Sequence, residues 1–114
     1  MRVLVTGSRN ITDERAVERI LRSWFGMGDE LIVGDARGVD AIAADLGNRC
    51  FMKVRVFVPD WDLGRKAGPL RNVAMIAEEP DVVVAFWDGE SRGTKGTIDM
   101  ALRNKIETHV HFLV

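Results

Sequence analysis

A chain of 114 residues, 46% hydrophobic and 29% charged, is long enough for one core and too short for two. Its net charge of −1 excludes a general attraction to nucleic acid or anionic membrane and leaves any such binding to a local patch. No apolar run approaches the roughly 20 residues of a membrane span, the lone Cys50 excludes an internal disulfide, and the amino terminus lacks a signal peptide's apolar core, so a cytosolic protein is expected.

Val3-Leu4-Val5, followed by Thr6, is an apolar run without alternation. It reads as a strand covered on both faces, the kind found in parallel sheets. It leads into Gly7-Ser8-Arg9-Asn10, a short polar turn with one glycine and one cation. A glycine turn from a strand into a helix lets backbone N–H groups face an anion. Val3–Thr6 is therefore predicted as the central strand, and Gly7–Asn10 as the first wall of a phosphate-binding cleft.

Thr12 is the predicted N-cap of a first helix from about Asp13 to Phe25, with Asp13 and Glu14 at its positive end. Ala16, Val17, Ile20, Leu21 and Trp24 are its core stripe, and Gly26 and Gly28 end it. Glu30–Val33 is a second buried strand, followed by the glycine turn Gly34–Asp40. Val39, Ile42, Ala43, Leu46 and Cys50 mark the second helix. Lys53–Val58 is the third strand, closed by Pro59. Pro59 to Gly68 reads as a loop carrying Asp60, Trp61, Asp62, Arg65 and Lys66. Pro69 suits the first position of a third helix, with Arg71 and Asn72 in its opening turn and Pro80 after its end. Asp81–Phe86 is the most hydrophobic strand. Trp87–Thr97 reads as a long glycine- and hydroxyl-rich loop, and Ile98, Ala101 and Leu102 as a short fourth helix. Thr108–Val114 alternates and reads as an edge strand.

Strands alternating with helices argue for an α/β fold with an open, mainly parallel sheet and helices on both faces. Right-handed crossovers favour the strand order 3-2-1-4-5. Ligands then bind outside the carboxyl ends of the strands where the order reverses, between the first strand and the fourth. The loops there carry Arg9, Arg37, Arg65 with Lys66, Arg71, and Arg92 with Lys95, whereas the opposite end holds Glu30, Glu78, Glu79, Asp81 and Glu107. A positive pocket of that kind suits a small polyanion such as a nucleotide. Gly7, the Gly34–Gly38 turn and Ser91-Arg92-Gly93-Thr94 are its candidate phosphate or ribose contacts, each with tight-turn geometry as the alternative reason for its residues. Neither a Walker loop nor a dinucleotide fingerprint is present.

Trp61 and Trp87 sit just past the ends of strands three and four, where either can stack on a base or pack at the rim. His109 and His111 share a strand face but lack a third ligand, so no metal site and no cofactor are expected. Asp35, Asp60, Asp88, Glu90 and Asp99 are carboxylates able to act on a glycosidic bond, or to cap helices and orient arginines.

Val5-Thr6-Gly7-Ser8-Arg9, Val33-Gly34-Asp35-Ala36-Arg37-Gly38-Val39-Asp40, Ala67-Gly68-Pro69-Leu70-Arg71-Asn72 and Phe86-Trp87-Asp88-Gly89 through Gly93-Thr94 together resemble the YspA-like branch of the SLOG superfamily. That superfamily groups the DNA-processing protein A family with the "lonely guy" phosphoribohydrolases. The resemblance implies a Rossmann-like three-layer sandwich filling residues 1–114 as one domain, and a role in sensing nucleotides or nucleotide-derived signals in bacteria or their phages. It implies that Gly7, Ser8, Arg9, Gly34, Arg37, Asp40, Arg71, Asn72, Gly93 and Thr94 line the pocket. The phosphoribohydrolases follow a Pro-Gly-Gly-x-Gly-Thr segment with a catalytic glutamate within three residues. Here Gly93-Thr94 lacks that lead, and the first carboxylate after it is Asp99.

The sequence thus supports a nucleotide-binding module as the first reading. A nucleotide N-glycosidic hydrolase, with Asp88 or Asp99 as working carboxylate and Arg71 as phosphate anchor, is the alternative. A nucleic-acid accessory protein is a third reading, which the overall charge argues against. The expected partner is a nucleotide or nucleotide derivative, with self-association into a homodimer compatible with the resemblance.

Overall fold

The computed structural model describes residues 1–113; Val114, assigned above to the last strand, lies outside them. Five strands, β1 (Arg2–Gly7), β2 (Glu30–Gly34), β3 (Lys53–Phe57), β4 (Val82–Trp87) and β5 (Glu107–Phe112), form a single sheet in the order β3-β2-β1-β4-β5. Every neighbouring pair is parallel. Helices α1 (Glu14–Leu21), α2 (Val39–Arg49), α3 (Ala67–Ala77) and α4 (Arg92–Arg103) connect them.

The uninterrupted apolar run of β1 has its physical explanation here. Val3 and Val5 join a core with Val17, Leu21, Val39 and Leu46 of α1 and α2. Leu4, between them, joins the opposite core with Met75, Ile76 and Ala101 of α3 and α4. Successive strand residues point to opposite faces, so a strand covered twice is apolar at every position. β4 does the same, and Val83, Val84, Ala85 and Phe86 are all fully buried.

Several boundaries differ from the sequence expectation. The N-cap of α1 is Asp13, whose side chain accepts from the Ala16 N–H, and not Thr12. That helix ends at Leu21 because Trp24 and Phe25 both donate back to the Leu21 carbonyl and close a turn. Trp24 is consequently half-buried against His109, with ring centroids 4.6 Å apart, and does not sit in the core proper. The predicted loop before α3 contains a 3-10 helix at Trp61–Lys66, started by Asp60, whose carboxylate accepts from the Asp62 N–H. α3 begins at Ala67, so Pro69 is its third residue and not its first. Its missing N–H costs nothing within the first turn, where amides have no intrahelical partner.

The largest correction concerns Trp87–Thr97. It is not one long loop: α4 starts at Arg92, capped by Ser91, whose Oγ accepts from the Thr94 N–H at 3.4 Å. Thr94, Thr97, Ile98 and Ala101 form its buried stripe. Threonines hold two of those positions, so the stripe does not read as apolar. The hydroxyl of Thr97 is satisfied by donating to the Gly93 carbonyl.

Candidate functional site

Four chain segments meet at the carboxyl end of the sheet. They are the turn after β1, the turn after β2, and the opening of α3 with the start of α4. Between them lies a cleft of about 460 Å³ lined by Arg9, Asp35, Ala36, Arg37, Trp61, Gly68, Pro69, Arg71, Asn72 and Gly93. A recess of about 80 Å³ shares five of those residues and adds Thr6, Gly7, Asp40, Met75, Ser91 and Thr94.

Close backbone approach explains the glycines. A Cβ on Gly7 would stand 2.5 Å from the Cβ and both methyls of Val39, so only hydrogen lets α2 pack against the end of β1. A Cβ on Gly34 would stand 2.7 Å from Arg71 Nη1 and 2.7 Å from Asp40 Oδ2. Gly38 has φ +76, and its Cβ would meet the Arg9 carbonyl oxygen at 2.5 Å. The turns after β1 and β2 are therefore in direct backbone contact, which holds Arg9 and Arg37 on the same rim.

The three arginines of the cleft differ in state. Arg71 is anchored: Nη1 donates to Asp35 at 3.0 Å and to the Phe57 carbonyl at 3.1 Å, and Nε donates to Asn72 at 2.8 Å. Arg9 and Arg37 are exposed and form no ion pair among the described residues. Trp61 stands on the lip, 66% exposed.

Asp40, in the first turn of α2, is 6% exposed. Its Oδ2 accepts from the Ala36 N–H at 3.1 Å. Burial pushes its carboxyl up to about 6, against the pull of that N–H and of the Arg71 and Arg9 charges. Its buried location was not evident from the sequence. The signal for it was the apolar stripe of α2, since Asp40 adjoins Val39 and precedes Ala43 by three, on the face the helix turns inward.

Other candidates lie elsewhere or do structural work. Ser8 is buried; its N–H donates to the Phe86 carbonyl and its hydroxyl accepts from the Asp88 N–H. Asp88 accepts from the Glu90 and Ser91 N–H groups, and these bonds hold its carboxyl below the usual carboxylate range. Ser8, Asp88 and Glu90 line a separate depression with Arg9, Asn10 and Ser91. Asp99 pairs with Lys95 one turn earlier on α4, at 2.8 Å, and lines neither the cleft nor the recess. Trp87 is committed: its Nε1 donates to the Ser91 carbonyl and its ring packs on Phe112. Arg92 lines an apolar groove between α3 and α4, away from Arg9 and Arg37. Thr6, Ala36, Gly68 and Pro69 line the cleft or recess without having been singled out in the sequence.

The opposite end of the sheet has a depression of similar size, about 440 Å³, with a different character. Part of its acidity is matched by cations. Arg55 bridges Glu30 and Glu78, Arg2 pairs with Glu30, and the terminal amine pairs with Asp29. The Arg55 contact holds the Glu30 carboxyl below its ordinary range. Glu30 and Glu78 are thus tied into ion pairs, while Glu79 and Asp81 pair with no cation among the described residues and leave that end partly acidic, as the sequence suggests.

The family model described as "YspA, cpYpsA-related SLOG family" matches residues 1–64, which include Arg9, Asp35, Arg37, Asp40 and Trp61. The Gene 61 protein of Mycobacterium phage D29 is 34% identical over 113 aligned positions, covering 82% of this chain and 82% of that protein. No solved structure matches. The parallel sheet, the glycine corners and these two matches agree, and the chain belongs to the YspA, cpYpsA-related SLOG family.

Proposed function

We propose that this protein binds a nucleotide or nucleotide-derived ligand in the cleft at the carboxyl ends of its strands. The observation that carries this is the pair Arg9 and Arg37, cations from two turns with no ion-pair partner among the described residues, lining one 460 Å³ cleft beside an exposed Trp61. Phosphates meet Arg9, Arg37 and the N–H of Gly93 in the first turn of α4, and the base stacks on Trp61. Arginine–phosphate bonds are charge-assisted and can be bidentate, so they supply both affinity and orientation. Arg71, held by Asp35 and Asn72, is a fixed part of the floor.

The hydrolase reading is less well supported. Asp88 is occupied in organising its own turn, and Asp99 lies outside the cleft. Action inside a bacterial cell fits a phage relative; among the described residues no helix is long and apolar enough to cross a membrane. Leu70, Val73, Ala74 and Ala77 are exposed at helical spacing on α3, which supports self-association through that face.

A thermal-shift screen against nucleoside mono-, di- and triphosphates and their cyclic and ribosylated derivatives tests the reading, with free base assayed in the same wells. A ligand at 100 times its dissociation constant adds about 2.7 kcal/mol of stability. That is a shift of roughly 10 °C for a domain of this size. No shift with any member at millimolar concentration overturns the reading, and base release favours the hydrolase.

A further inference from the structure

The recess beneath the cleft has two unlike walls. On one side stands Asp40, more than nine-tenths buried, with Oδ2 committed to the Ala36 N–H. Its other oxygen carries no hydrogen bond among the described residues and is not sealed from solvent. On the other side, Gly93 and Thr94 begin α4, and the Gly93 N–H makes no hydrogen bond among the described residues. Arg71 brings a positive charge to the floor, but Asp35 already pairs with it at 3.0 Å.

A phosphate fits this arrangement poorly, because its negative oxygens would stand against the Asp40 carboxylate. A hydroxyl has a proton to donate, and a carboxylate oxygen is an acceptor only. The volume points the same way. At about 80 Å³ the recess is a small fraction of the 460 Å³ cleft above it, so the bulkier parts of a nucleotide belong in the cleft and the sugar's hydroxyl edge in the recess.

We propose that the recess receives the hydroxyl edge of a ribose, with one hydroxyl donating to the free oxygen of Asp40 and the phosphate of the same ligand lying outward at Arg9 and the Gly93 N–H. This rests on the nucleotide reading above and adds a selectivity to it: ribonucleotides bind and deoxyribonucleotides are disfavoured. Asp40 is then the specificity-determining residue. A hydrogen bond to a charged acceptor is stronger than its neutral counterpart, so the preference depends on the ionised carboxylate. The other charged groups facing Asp40 are Arg9, Asp35 and Arg71.

The test is calorimetric titration at pH 8 with the four ribonucleoside 5′-monophosphates and their 2′-deoxy and 3′-deoxy counterparts, on the wild type and on Asp40→Asn. The wild type is expected to bind the ribonucleotide about tenfold or more tightly than the counterpart lacking the hydroxyl that Asp40 reads. Asp40→Asn retains an acceptor for the Ala36 N–H, and should reduce that ratio to about threefold or less. Lowering the pH from 8 to 5 should erode the wild-type ratio, a measurement that stands even if the variant does not fold. Equal binding of ribo and deoxy forms overturns the ribose assignment and leaves the nucleotide reading intact. Full discrimination retained in Asp40→Asn overturns the role of Asp40. Binding of none of the nucleotides overturns both readings.

Discussion

Gly34 ends β2 directly behind Arg71 and Asp40, and adding one methyl group there separates the stability of the fold from the geometry of the cleft. An alanine Cβ would stand 2.7 Å from Arg71 Nη1 and from Asp40 Oδ2, where ordinary contact begins near 3.4 Å. Taking the difference, 3.4 minus 2.7, each group must retreat by about 0.7 Å. Arg71 Nη1 holds Asp35 at 3.0 Å and the Phe57 carbonyl at 3.1 Å. A retreat of that size takes both beyond the roughly 3.2 Å limit of good N–H···O bonds. Crowding of this kind costs about 1–3 kcal/mol. Stiffening of the unfolded chain by alanine returns roughly 0.4–1 kcal/mol. The net expectation for Gly34→Ala is a loss of about 1–2 kcal/mol, or roughly 4–10 °C in Tm, with nucleotide affinity reduced at least about tenfold. Thermal melts and calorimetric titration read the two effects. Gly47→Ala is the control: its Cβ would press on Leu31 and Val54, on the α2 face of the sheet and away from the cleft, so stability changes and affinity does not. A Gly34→Ala protein that melts earlier yet binds nucleotide as tightly as the wild type would refute the claim that Arg71 and Asp40 shape the ligand site.

Three further outcomes are expected. The folded-state pKa of Asp40, about 6, exceeds its ordinary value of 3.8, so folding takes up a proton between those two pH values and stability falls as pH rises through that window. A raise of about 2 units corresponds to about 3 kcal/mol of penalty fully developed above pH 6; Asp40→Asn should therefore be more stable than the wild type at pH 7 by up to that amount, and denaturant melts at pH 4 and pH 7 should show the gap closing at the acid end. Trp61→Ala removes a ring that is 66% exposed, so Tm should barely move, while the lost base stacking, about 1–3 kcal/mol, should weaken binding roughly 5- to 100-fold in the same titrations. Val73→Lys charges the centre of the exposed α3 stripe, and sedimentation should find the wild type dimeric and the variant monomeric; a monomeric wild type at high micromolar concentration removes the case for self-association.

The sheet was legible because β1 to β4 are each flanked by glycine, proline or charged residues, and because both faces of β1 and β4 are covered, which leaves Val3–Val5 and Val82–Phe86 without a polar residue. The start of α4 was not legible, since its buried stripe is half threonine and its first turns carry Gly93 and Gly96. The predicted convergence of Arg9, Arg37, Arg71 and Asn72 follows from topology, which assigns the three turns to one sheet edge. What topology does not give is side-chain commitment. Ser8, Asp88 and Trp87 carry the right chemistry in the right turns, yet Trp87 Nε1 is spent on the Ser91 carbonyl, Asp88 Oδ1 on the N–H groups of its own turn, and Ser8 Oγ accepts from the Asp88 N–H. Asp40 illustrates the converse: a carboxylate in a helix's first turn reads as a dipole partner, although its place on the apolar stripe of α2 is what buries it.

The central claim is that Arg9 and Arg37 bind the ligand's phosphates, and matched charge removal tests it most directly. The double variant Arg9→Ala/Arg37→Ala and a control, Arg15→Ala/Lys53→Ala, remove the same charge, the control from exposed positions outside the cleft. In calorimetric titration with the best ligand from the nucleotide screen, the first should lose at least about a hundredfold in affinity, one to two charged hydrogen bonds' worth, and the control less than about twofold. Equal losses in both, or none in either, would contradict the account.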